Sequence, residues 1–128
     1  MSEKELIEKA IEAMRRAYAP YSNFKVGAAL LTKSGKVFVG CNVENASFGL
    51  SVCAERVAMF TAVAAGETQF EKLVVVANAS SPVSPCGACR QVMSEFGDFE
   101  VILANTNGDT VKTRVSELLP YAFKLREG

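Results

Sequence analysis

No histidine and no tryptophan occur among the 128 residues of this chain. The lack of histidine narrows the available chemistry. The side chain that most often moves protons near neutral pH is absent, so proton transfer falls to Glu, Asp, Lys, Cys, Tyr or water. A zinc site would have only thiolates and carboxylates to draw on. Net charge is lacking as well, since fourteen Lys and Arg balance fourteen Asp and Glu. A nucleic-acid binder ordinarily carries a basic excess or a basic stripe, and the longest basic run here is the helix-face pair Arg15–Arg16. No apolar run approaches the roughly 18 residues that read as a membrane span. The opening "MSEKELIEKA" is charged and helical in pattern rather than a signal peptide. The expectation is a soluble cytoplasmic protein with neither nucleic acid nor membrane as partner.

No linker, repeat or low-complexity tract divides the chain, so residues 1–128 are expected to form one domain. Ser2 and Glu5 form a capping box. Leu6, Ile7, Ala10, Ile11, Met14 and Tyr18 then recur at helical spacing as far as Pro20. "FKVGAALLTKSGKVFVGCNVEN" reads as a hairpin turning at Lys33-Ser34-Gly35. Ser51 is placed to cap a helix over 52–65 that Gly66 ends. "KLVVVANA" (72–79) and "FEVILAN" (99–105) are short apolar runs of the kind covered on both faces. Between them, Ser84 and Pro85 are expected to start a helix that stops at Gly97. "GDTVKTRV" reads as a short edge strand, and "SELLPYAF" as a last helical turn and tail. Strands linked through helices make an α/β fold, a mixed, partly parallel sheet between helical layers.

Four cysteines in a reducing compartment favour metal binding or catalysis over disulfides. Cys86 and Cys89 form C-x-x-C early in a helix, where residues three apart share a face. Cys53 stands at the start of another helix, and helix N-termini favour thiolates. If the two N-termini meet, three thiolates converge on one point. Three protein ligands and an open position mark catalytic zinc, whereas structural zinc usually takes four. Cys41 is the possible fourth, with an inert buried thiol as the plainer reading. C-x-x-C alone would also suit a redox motif.

Glu55, two residues after Cys53, separates these readings. Zinc lowers the pKa of its bound water, and a nearby carboxylate can take that proton and return it to a substrate. A buried ion pair with Arg56 is the alternative, but adjacent helical residues face different directions. Three thiolates overcompensate a dication by one charge, and Arg56 donating to sulfur would offset that excess.

"CNVENASFGLSVCAERVAMFTA" with "SPCGACRQVMSEF", preceded by "YAPYSNFKVGAAL", closely resembles the small homotetrameric cytidine deaminases of pyrimidine salvage, over nearly the whole chain. The resemblance implies a three-layer α/β/α fold with a roughly five-stranded mixed sheet, one Zn²⁺ per subunit, and hydrolysis of cytidine and 2′-deoxycytidine. It implies Cys53, Cys86 and Cys89 as zinc ligands and Glu55 as the proton shuttle. It places the amide of Ala54 and the carbonyl of Ser84 on the base, and Asn42 and Glu44 on the ribose 3′-hydroxyl. Phe24 is implied to pack on the base, and Phe123 to reach a neighbouring subunit's site. Read from the residues alone, Asn42 is equally a turn residue and Phe24 a core residue. Phe48 stands where many relatives have Tyr. Two further readings remain: a deaminase of another aminopyrimidine nucleoside, such as a nucleoside antibiotic, and a non-catalytic zinc module with Cys41 as a ligand.

Overall fold

Alternate residues of a strand point to opposite faces, and the central strands of this chain are apolar on both. The computed structural model describes residues 1–125, so the last three residues of the expected 1–128 unit lie outside the described ones. The elements are α1 (Glu3–Met14), β1 (Val26–Thr32), β2 (Val37–Cys41), a 3-10 turn (Phe48–Leu50), α2 (Ala54–Ala64), β3 (Phe70–Ala77), α3 (Gly87–Glu95), β4 (Glu100–Asn105), β5 (Thr110–Arg114) and α4 (Val115–Leu118). They build one sheet in the order β2-β1-β3-β4-β5. Only the central pair β3–β4 is parallel, joined across α3, and the other neighbours are antiparallel.

Parity sorts the core into two layers. Val74, Val76, Ile102 and Ala104 face α1, where Leu6, Ala10 and Met14 meet them. Leu73, Val75, Val101 and Leu103 face the other way, against Ala58, Met59 and Ala62 of α2 and Met93 of α3. The result is the expected three-layer α/β/α arrangement. Full burial of a Leu or Met side chain contributes about 1.5–3 kcal/mol, so each layer is a substantial part of the fold's stability. Two glycines set how closely the helices approach. A Cβ on Gly27 would lie 1.9 Å from the Ala10 carbonyl oxygen, and one on Gly40 would lie 2.5 Å from both Ala54 O and Ala58 N. The backbone of α2 therefore rests directly on β2.

Three boundaries depart from the sequence reading, each because a polar group is engaged elsewhere. The first helix ends at Met14, not at Pro20. Tyr18 N–H donates to Asn42 O (3.0 Å) and Tyr18 O accepts from Glu44 N–H (2.8 Å), which draws residues 15–19 off the helix. Ser51 does not cap α2: its Oγ accepts from Asn45 N–H at 3.0 Å, and Cys53 is the N-cap. Nor does Ser84 cap α3, because its Oγ accepts from Arg90 Nη2 at 2.6 Å; Cys86 is the N-cap, its sulfur accepting from Cys89 N–H at 3.5 Å. Both helices thus begin at a cysteine.

At the far rim, β5 is largely exposed, with Lys112 paired to Glu3 (3.0 Å) and Arg114 to Asp98 (3.5 Å). Among the described residues no helix is long and apolar enough to cross a membrane.

Candidate metal centre

Because Cys53 and Cys86 both occupy N-cap positions, the starts of α2 and α3 bring their sulfurs together. Cys53 Sγ lies 3.6 Å from Cys86 Sγ, and Cys86 Sγ lies 3.4 Å from Cys89 Sγ. All three sulfurs fall within 4.8 Å of one another, and all four cysteines of the chain are free. A tetrahedral zinc with Zn–S of about 2.3 Å separates its sulfurs by about 3.8 Å, so the spacing fits such an ion. Cys41 is not part of the cluster.

The electrostatics around the sulfurs are asymmetric. The Cys53 thiol is pulled down to about 5, chiefly by the hydrogen bond from Cys89 and also by Arg56, against an opposing effect of burial. Cys89 holds the proton of that bond, and this together with burial pushes its own pKa up. Arg56 Nη2 donates to Cys53 Sγ at 3.6 Å, from one helical turn further on. Its Nε is buried with no hydrogen-bond partner. An orphan donor beside a thiolate cluster is what an anionic metal site would use. Arg56→Ala is expected to weaken zinc affinity or turnover by 10- to 100-fold, measured by competition with a chromophoric chelator. Undiminished values of both would refute the charge-offsetting role.

Of the polar or charged residues that are buried among those described, Thr32, Glu55 and Asn105, only Glu55 is ionisable. The residue is 4% exposed, on the first turn of α2 beside the thiols. Burial above all pushes its carboxyl pKa up, and the charge of Cys53 adds to that. A carboxyl held above its ordinary range is suited to accept and then return a proton near neutral pH. Ala54 is the first residue of α2, so its N–H belongs to the turn whose amides have no intrahelical acceptor.

Asn42 and Glu44 lie beside this centre, because Val43 pairs antiparallel with Val52, one residue before Cys53. Neither makes a turn with its own backbone. Asn42 Oδ1 accepts from Val26 N–H and Nδ2 donates to Phe24 O, both at 2.8 Å. Glu44 accepts from the Tyr21 and Ser22 amides at 2.9 and 3.1 Å and from the Ser22 hydroxyl. That hydroxyl holds the Glu44 carboxyl below its usual range. The two side chains thus bracket residues 21–26, which carry Phe24; its ring is partly exposed rather than in the core. Tyr21, Ser22, Glu44, Phe48 and Ser51 line one open pocket of about 340 Å³. Phe48 stands edge-on to Tyr21, with ring centroids 6.2 Å apart.

Phe123 is not brought to the thiols of its own chain. It lines a separate hollow of about 530 Å³ with Thr68, Gln69 and Phe96. Sequence reasoning passed over Ser22, Arg90 and Gln91. For the last two the available signal was position, directly after a cysteine of the cluster in "CGACRQ".

A family model for the cytidine and deoxycytidylate deaminase zinc-binding region matches residues 1–105. The chain is 53% identical over 125 residues to a cytidine deaminase of Halalkalibacterium halodurans, covering 96% of this chain and 95% of that one. It is 50% identical over 125 residues to one from Sporosarcina psychrophila, covering 96% and 92%. A crystal structure of cytidine deaminase from Burkholderia pseudomallei superposes with a TM-score of 0.93 at 57% identity, covering 96% of this chain and all of that one. With the thiol cluster and buried glutamate in place, the chain belongs to the cytidine and deoxycytidylate deaminase family.

Proposed function

We propose that the protein hydrolyses cytidine and 2′-deoxycytidine to uridine and 2′-deoxyuridine, releasing ammonia. The observation that carries this reading is Glu55, a buried carboxyl beside a three-thiol cluster. Cys53, Cys86 and Cys89 would hold Zn²⁺, which supplies a water acidic enough to lose its proton near neutral pH. Glu55 takes that proton and delivers it to the ring nitrogen beside the amino-bearing carbon while oxygen adds to that carbon. It then takes the remaining proton from the added hydroxyl and passes it to the departing amine, so the C–N bond breaks as the C–O bond becomes the carbonyl. Arg56 draws charge from Cys53.

The Ala54 amide and Ser84 carbonyl hold the base, with Phe24 against its face. Asn42 and Glu44 take the ribose 3′-hydroxyl. Their present hydrogen bonds to residues 21–26 support this, since they already stiffen the segment that bears Phe24. Nothing in this set reads the 2′ position, so both sugars are accepted. Cys41 stays outside the cluster, which disfavours a four-thiol structural module.

The functional unit is a single deaminase domain assembled as a homotetramer. Exposed Phe60 and Val63 on α2, with Phe48, Leu50 and Phe123, supply apolar surface for such contacts. Phe123, which lines a hollow that none of its own thiols lines, serves a neighbour's site. Four free cysteines, two of them 3.4 Å apart and unbridged, suit the reducing cytoplasm.

The test is the ultraviolet spectrum of cytidine incubated with zinc-loaded protein. Conversion to the uridine spectrum is the expected result. No change despite one tightly bound zinc per chain would overturn the substrate and turn the search to other aminopyrimidine nucleosides.

A further inference from the structure

The segment after α4 has no regular structure, yet its backbone is anchored at two points. Arg90 Nη1 donates to Leu118 O at 2.6 Å, and Gln91 Nε2 donates to Phe123 O at 3.1 Å. Between these anchors Tyr121 adopts φ 56°, a left-handed conformation that is unfavourable for a bulky side chain. A tail simply leaving the fold would relax out of it. The rings gain little within their own subunit, for Phe123 stays 69% exposed and Tyr121 fully so. The backbone is held, and the aromatic side chain is presented.

Arg90 also reaches the loop that precedes Cys86. Its Nε donates to Pro85 O at 2.9 Å and its Nη2 to Ser84 Oγ at 2.6 Å. One planar guanidinium therefore ties the loop entering α3, which carries the ligand Cys86, to the chain leaving α4. Gln91, the next residue, extends the same tie to Phe123.

We propose that Arg90 and Gln91 are positioning residues that seat residues 118–123 on α3, so that each subunit's clamp sets how Phe123 meets substrate in an adjacent copy. This rests on the shared-site reading above and assigns the residues that make sharing possible. Arg90 acts on two sites at once, its own through Ser84–Pro85 and the neighbour's through the tail. Gln91 acts on the neighbour's alone.

The experiment uses zinc-loaded protein throughout. Gln91 is exposed, so Gln91→Ala leaves the core intact. Loss of one hydrogen bond should raise KM for cytidine roughly two- to ten-fold, with kcat within two-fold of the parent and zinc content unchanged. A merely structural role in α3 would not divide KM from kcat in this way. Gln91→Ala chains are then reassembled with Glu55→Ala chains, which lack turnover but carry intact tails. Return of KM toward the parent value supports the clamp acting across subunits, and a KM fixed at that of the Gln91→Ala protein overturns it. Phe123→Ala separates the two levels. An unaltered KM there overturns the shared-site reading itself. A raised KM there, with unaltered KM in both Gln91→Ala and Arg90→Lys, overturns the clamp alone.

Discussion

Glu55→Gln is expected to lower cytidine turnover by roughly 10²- to 10⁴-fold while one zinc per chain remains bound. Glutamine keeps the shape and the hydrogen-bonding reach of glutamate but cannot carry a proton between water, ring nitrogen and leaving amine. The chain has no histidine to substitute for it. The same change is expected to leave thermal stability equal or higher. The folded pKa of Glu55 is raised by burial, so its contribution to stability is most favourable below the unfolded carboxylate pKa. That contribution is lost as pH rises through the folded value. At neutral pH the carboxyl is therefore a cost to the fold, and an uncharged isostere removes it. Melting curves of chelator-treated parent and variant at pH 5 and pH 8 check this. The variant should gain most at pH 8. A variant that retains parental turnover would remove Glu55 from the mechanism.

Stripping the metal is expected to abolish turnover, and returning zinc to restore it. The melting temperature should fall by roughly 10 °C on removal. The ion would bind the folded chain and not the unfolded one, which alone stabilises by mass action. It would also close the loop between Cys53 and Cys86, 33 residues apart in sequence. By the chain-entropy treatment of cross-links, a loop of that length is worth about 3–4 kcal/mol. Cys86→Ser should reproduce both losses, because it removes one of the three sulfurs while its hydroxyl can still cap α3. Calorimetry with metal analysis on the same samples provides the measurement, and turnover that survives full chelation would refute the metal's role.

The sheet strands were legible because their apolar parity is strong: the β3 and β4 runs alternate cleanly between α1 and the α2–α3 layer. The thiol set and Glu55 were legible because C-x-E-R and P-C-x-x-C place chemically unusual residues at helix starts. The caps were misread for a reason that sequence does not expose. Ser51 and Ser84 have the right chemistry, but Asn45 and Arg90 engage their hydroxyls from elsewhere in the fold. That diverts the capping position to Cys53 and Cys86. The end of α1 was misread in the same way, since only the folded chain shows residues 42–44 claiming the backbone of Tyr18. Arg90 and Gln91 are marked in the sequence only by standing directly after Cys89, because their partners, Leu118 and Phe123, lie about thirty residues on.

The charged rim at β5 bears on behaviour in concentrated solution. A terminal strand exposes unpaired N–H and C=O groups on which another chain could extend the sheet, the usual first step toward strand-mediated aggregation. Here Lys112 and Arg114 sit on that strand. A second copy laid against it in register would have to crowd like charges and desolvate them. Growth of the sheet from copy to copy is opposed at that rim.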